Sequence, residues 1–168
     1  MIDVNDLCID EFVERYGGVY EHSPWVAEET FSDYLENPET DMLAELFAEC
    51  VDNASRDRRL ALICAHPDLA GRAAVAGKLT EQSSAEQSSA GIDQCSAAEF
   101  ARFQDLNQRY KEKFEFPFVM AVRDSDRQEI LSAFEERLQN GPEEEFERAI
   151  SEIHKIARLR LNAMRDDE

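Results

Sequence analysis

Only one stretch of this chain reads as extended, and it has nothing to pair with. Phe114-Glu115-Phe116-Pro117-Phe118-Val119-Met120-Ala121-Val122 carries Pro117 near its centre. Proline has no N–H to give to a ladder, and no second convincing strand exists elsewhere, so the sequence argues against a sheet. The rest follows the helical period. Ile9, Phe12, Val13 and Tyr16 share a face behind a cap at Asn5 or Asp6, and Gly17-Gly18 ends that helix. Residues 21–25 turn the chain, with Trp25 expected to pack into the core and a short helix expected after Pro24. Leu43, Leu46, Phe47 and Cys50 mark a helix over 41–53, and Leu60, Ile63 and Cys64 mark another over 57–65. Pro67 makes His66 a helix boundary. Residues 72–82 fit helix or loop.

Ser96 with Glu99 forms a capping box ahead of Phe100, Phe103, Leu106, Asn107 and Tyr110. Ser125 or Asp126 opens a helix bearing Ile130, Leu131, Phe134 and Leu138, stopped by Asn140-Gly141-Pro142. A last helix runs over about 143–164, with Phe146, Ile150, Ile153, Ile156, Ala157, Leu159 and Leu161. The expected fold is all-α: a single-domain bundle of seven to nine helices over residues 1–168, without significant sheet.

Charge narrows the partners. A net charge of −19 and a pI of about 4.5 oppose nucleic acid and anionic membranes. No apolar run is long enough to span a bilayer, and Met1-Ile2-Asp3 begins no export signal, so the chain reads as soluble and cytoplasmic. Cys8, Cys50, Cys64 and Cys95 lack CxxC spacing and read as buried free thiols. Three scattered histidines give no metal-ligand spacing, and no phosphate loop or GxSxG is present, so neither metal nor cofactor is expected.

Three features carry chemistry. His66 opens His66-Pro67-Asp68-Leu69-Ala70-Gly71 at the end of an apolar helix, where the macrodipole favours its cation. It can be a general acid or a simple C-capping group. Ser83, Glu86 and Gln87 fall at i, i+3 and i+4 on one helical face. Ser83 with Glu86 also fits a capping box, but Gln87 is not needed for one. Arg160 lies on the apolar face, four residues beyond Ile156 and seven beyond Ile153, and there it requires a buried anion from protein or ligand. Arg158, about 160° away around the helix, faces water. His154 reads as an ordinary helix residue.

Together these stretches resemble the 2-oxo-4-hydroxy-4-carboxy-5-ureidoimidazoline (OHCU) decarboxylases, enzymes of urate degradation. The matching stretches are the 17–25 loop from Gly17-Gly18 to Trp25, His66 to Gly71, Ser83 with Glu86-Gln87, and Leu106-Asn107 with Tyr110. Lys113-Phe114 with Phe116-Pro117-Phe118 and the 156–161 stretch, which holds Arg158 and Arg160, complete the set, in order along nearly the whole chain. The departure is Glu115, where the family usually has glycine.

The resemblance implies an all-helical homodimer without cofactor, with His66 as proton donor beside Pro67. It implies that Ser83, Glu86 and Gln87 touch substrate, with Glu86 sharing the catalysis. It further implies that the backbone of Phe118, Val119, Met120, Ala121 and Val122 binds the ring and that Arg160 binds substrate. The expected reaction releases CO2 and yields (S)-allantoin. Two alternatives stand beside it: a non-catalytic helical interaction module, and a same-fold enzyme for a related ureido acid. A pseudoenzyme would be expected to lose one of His66, Glu86, Gln87 and Arg160, and all four are present.

Overall fold

The structure, a computed structural model, describes residues 8–36, 42–69, 80–123 and 125–166. Among them are eight α-helices and no strand. In chain order these are α1 (Ile9–Tyr16), α2 (Trp25–Glu36), α3 (Leu43–Asp52), α4 (Arg56–Cys64), α5 (Glu81–Ser89), α6 (Ala97–Phe114), α7 (Arg127–Arg137) and α8 (Pro142–Asp166). A 3₁₀ turn, Ile92–Gln94, follows α5.

The helix starts follow their caps. Ser55 accepts from the Arg58 N–H at 3.2 Å, and Asp126 accepts from the Glu129 N–H at 2.9 Å. The Ser96/Glu99 capping box forms in both directions, at 3.2 and 3.1 Å. Pro142 occupies the first position of α8, where its missing N–H costs nothing. The expected caps of α1, Asn5 and Asp6, lie outside the described residues; the helix starts after Cys8, whose N–H meets the Glu11 carboxylate at 3.3 Å. The helix after Pro24 runs 12 residues, longer than expected. Residues 70–79, including Ala70 and Gly71, lie outside the described residues.

The residues gather into two compact units, Met1–Ala65 with His154–Glu168, and His66–Ile153. In the first, α2 packs on α1 and α3. Phe12 is its centre, with the rings of Tyr16, Phe31 and Tyr34 within 5.2 Å of its own, centroid to centroid. Each buried ring of this size contributes about 1.5–3 kcal/mol. Gly17 is the C-cap of α1, as expected; its N–H donates to the Val13 carbonyl at 2.7 Å, and a Cβ there would lie 2.4 Å from the same oxygen.

In the second unit, α6 packs on α7 around Tyr110, Phe103, Phe118 and Phe134. Phe118 stacks on Phe134 with centroids 3.7 Å apart. The 114–122 stretch, expected to be extended, is not so throughout: Phe114 closes α6 and Glu115 is left-handed, while residues 117–122 belong to neither helix nor strand.

Two expectations about packing are corrected. Trp25 is only half-buried and lies under the Arg58 guanidinium, 4.0 Å from the ring centroid; Glu21 and Ser23 are the buried residues of that loop. The cysteines form no disulfide, but they are not buried: Cys8 and Cys64 are exposed, Cys50 and Cys95 partly so.

Candidate functional site

Helix α6 builds the site by presenting Asn107, Tyr110 and Lys111 at i, i+3 and i+4. Asn107 Nδ2 donates to the Leu69 carbonyl at 2.9 Å, and the Lys111 ammonium pairs with the Asp68 carboxylate. From α5, Gln87 Nε2 reaches the Asp68 carbonyl at 3.4 Å. The loop that begins at His66 and Pro67 is therefore fixed by two helices. His66 itself follows Ala65, the C-cap of α4, and is buried.

The polar face of α5 forms as expected, with Ser83 and Gln87 buried and Glu86 partly exposed. Its capping role does not form. Thr80 is the N-cap, accepting from the Ser83 N–H at 3.2 Å, so Ser83 lies inside the helix. The Gln87 contact sets this face against the His66 loop.

Residues 118–122 are anchored through Arg137. Phe118, Val119 and Val122 are buried, while Met120 and Ala121 are partly exposed. The Val119 carbonyl accepts from Arg137 Nη1 at 2.7 Å. Arg137 Nε donates to Glu145 Oε2 at 2.9 Å, and the Tyr110 hydroxyl donates to the same oxygen at 2.6 Å. Asn140 Nδ2 donates to Glu145 Oε1 at 2.8 Å. Burial, then the bond to Glu145, pushes the Tyr110 hydroxyl well above the ordinary tyrosine value.

Arg160 lies in the other unit. As expected it is buried, with Arg158 exposed. The protein itself supplies a buried anion: Nη2 meets Glu21 Oε2 at 2.7 Å, and Nη1 donates to the carbonyls of Gly18 at 3.1 Å and Val19 at 3.4 Å. His154 is more than an ordinary helix residue. Its Nδ1 is 2.8 Å from the Tyr20 hydroxyl and its Nε2 is 2.9 Å from Asp52 Oδ1. Burial, then the Asp52 charge, raises the Tyr20 hydroxyl.

Arg137 and Glu145 do not stand out in the sequence as functional residues. Arg137 stands three residues after Phe134 and seven after Ile130, the same apolar-face signature that singled out Arg160. Glu145 ends a run of three glutamates that resembles an exposed first turn, yet it is fully buried.

Fold and site define an all-helical protein whose histidine-bearing loop is held by polar side chains of α5 and α6. The OHCU decarboxylase family pattern matches residues 5–162, and the chain belongs to that family. An OHCU decarboxylase of Haloferax volcanii is 44% identical over 94% of this chain and 91% of its own length. One from Mus musculus is 38% identical, over 96% and 90%. A crystal structure of an (S)-allantoin synthase superposes with a TM-score of 0.75 at 34% identity, covering 97% of this chain and 54% of its own. A crystal structure of an OHCU decarboxylase in the presence of (S)-allantoin shares the fold, with a TM-score of 0.67 at 23% identity.

Proposed function

We propose that this chain decarboxylates OHCU to (S)-allantoin and CO2 in urate degradation, without a cofactor. Family membership across residues 5–162 is the observation that carries the reaction. The fixing of the His66 loop against the α5 polar face supports the roles of individual residues.

The substrate serves as its own electron sink. When the bond to the carboxyl carbon breaks, its electron pair passes into the electron-poor ring as an enolate-like intermediate, and CO2 leaves. His66 then delivers one proton to one face of the intermediate. Glu86 orients that imidazole or a substrate hydroxyl. Ser83, Gln87 and Pro67, with the backbone of Phe118, Val119, Met120, Ala121 and Val122, hold ring and ureido groups. Arg160 directs N–H donors at a substrate oxygen. Its pairing with Glu21 offsets its charge, so directed hydrogen bonding is its main contribution. The same reading makes the enzyme cytoplasmic and a homodimer; sedimentation of the purified protein tests the dimer.

The test follows circular dichroism while urate is degraded by urate oxidase and hydroxyisourate hydrolase. With this protein present, optically active (S)-allantoin accumulates faster than spontaneous decay allows. Racemic product at the uncatalysed rate overturns the reading.

A further inference from the structure

We propose that Arg137, held by Glu145, is a positioning residue that fixes the orientation of the Val119–Met120 peptide. The proposal rests on the reading above, in which the backbone of residues 118–122 binds the substrate ring. A segment that belongs to neither helix nor sheet must satisfy its buried backbone groups by other means. At Val119 that means is a guanidinium: Nη1 lies 2.7 Å from the carbonyl oxygen.

Two further contacts pin the guanidinium. Its centre lies 4.3 Å from the Phe118 ring centroid, and Phe118 is itself stacked on Phe134. Glu145 takes Nε at 2.9 Å, while Tyr110 and Asn140 hold Glu145. Arginine's planar fork allows carboxylate and carbonyl to be bound at once. Among the described residues Nη2 is buried without a hydrogen-bond partner.

The consequence follows from peptide geometry. The described chain has no cis peptide, and a planar trans peptide points its C=O and N–H in opposite directions. With the Val119 carbonyl turned to Arg137, the Met120 N–H points away from it, at the place where the chain passes from buried Val119 to partly exposed Met120 and Ala121. A rotated peptide would present a carbonyl there instead of a donor. Arg137 and Glu145 need not touch substrate to decide which of the two the ring meets.

The experiment titrates ¹⁵N-labelled protein with (S)-allantoin and measures OHCU kinetics for wild type, Arg137→Lys and Glu145→Gln. In wild type, saturation moves the Met120 amide resonance. In Arg137→Lys, which keeps the charge but loses the fork, allantoin affinity falls about tenfold or more. Ground-state binding of the ring is lost, so KM rises while kcat stays within about threefold. A merely structural role would instead lower the active fraction, reducing apparent kcat with KM unchanged; that result overturns the proposal. A wild-type Met120 amide that stays still at saturation also overturns it, whatever the variants do. Glu145→Gln, which keeps an acceptor oxygen, repeats the KM test should Arg137→Lys not fold. A wild type that neither binds allantoin nor turns over OHCU overturns the functional reading and this proposal together. An active wild type with unaffected variants overturns the proposal alone.

Discussion

Arg160 in one unit and Arg137 in the other are both buried, both paired with a glutamate, and both donate to loop carbonyls. Their surroundings differ. Arg160 takes its carboxylate and both carbonyls from one loop, at Gly18, Val19 and Glu21, and so closes that loop on itself. Arg137 takes its carboxylate from α8 and its carbonyl from a segment outside any helix or strand, with Tyr110 and Asn140 sharing the carboxylate. The first pair sets the shape of a turn. The second ties a stretch outside any helix or strand to side chains from α6, α7 and α8. Buried ion pairs roughly break even against their desolvation cost, so geometry is the better reason for either to exist.

The largest expected effect separates the loops by chemistry. His66→Asn should lower the rate of stereoselective allantoin formation by about 10²–10⁴, the usual range for a general acid. His22→Asn, in the loop held by Arg160, should leave it unchanged. His22 is exposed and left-handed at φ 48°, a conformation asparagine tolerates. Dichroism-monitored kinetics of both variants check the contrast, and a His66 variant retaining a tenth of the rate would break it.

Next comes stability. Glu145→Ala removes the acceptor of three donors and should cost about 3–5 kcal/mol in urea unfolding. Glu21→Ala should cost less, because Arg160 keeps two carbonyl partners. Equal losses would mean that the shared carboxylate confers no cooperativity.

The two arginines also show how far the sequence could be read. Helices were legible because apolar period and cap chemistry agree, as at Ser96/Glu99 and Asp126. Arg160 was legible because it sits inside a dense motif. Arg137 carries the same apolar-face spacing, but its partner Glu145 hides among acidic residues that look solvated. Spacing along one helix reveals a buried charge; it does not reveal which distant residue answers it. Ser83 went the other way. Its capping pattern was present, but Thr80 is three residues ahead and takes the role. Trp25 misled because size suggested burial, whereas an arginine covers its exposed face.

A third, smaller effect appears in alkali. Tyr20 and Tyr110 both hold their protons above the ordinary value of 10.0. The unfolded chain releases such protons near pH 10, so the stability these groups contribute is complete below that pH and is lost as pH rises through the raised folded values. Tyr110 faces a carboxylate and Tyr20 an imidazole. Tyr110→Phe should therefore flatten the fall of Tm between pH 9 and 11.5 more than Tyr20→Phe does, while costing about 1–2 kcal/mol at neutral pH. A greater flattening from Tyr20→Phe would place the stronger proton hold in the other unit.

The smallest effect is a gain. Glu115 ends α6 in the left-handed region, at φ 64° and ψ 22°, with its N–H bonded to the Lys111 carbonyl at 2.8 Å. That C-terminal geometry favours glycine, which the resembled family usually has there. A side chain in this region costs about 1–2 kcal/mol, and the freer unfolded chain of a glycine variant returns about 0.4–1 of that. Glu115 is exposed, so Glu115→Gly should gain roughly 0.5–1 kcal/mol and raise Tm by about 1–3 °C, with activity unchanged. Thermal melts of Glu115→Gly and His22→Gly, side by side, return to the two loops. A gain at Glu115 alone marks its strain as incidental to this chain and that of His22 as balanced by the loop that Arg160 holds. Equal gains would show that the Arg160 loop tolerates its left-handed residue no better than a plain helix end does.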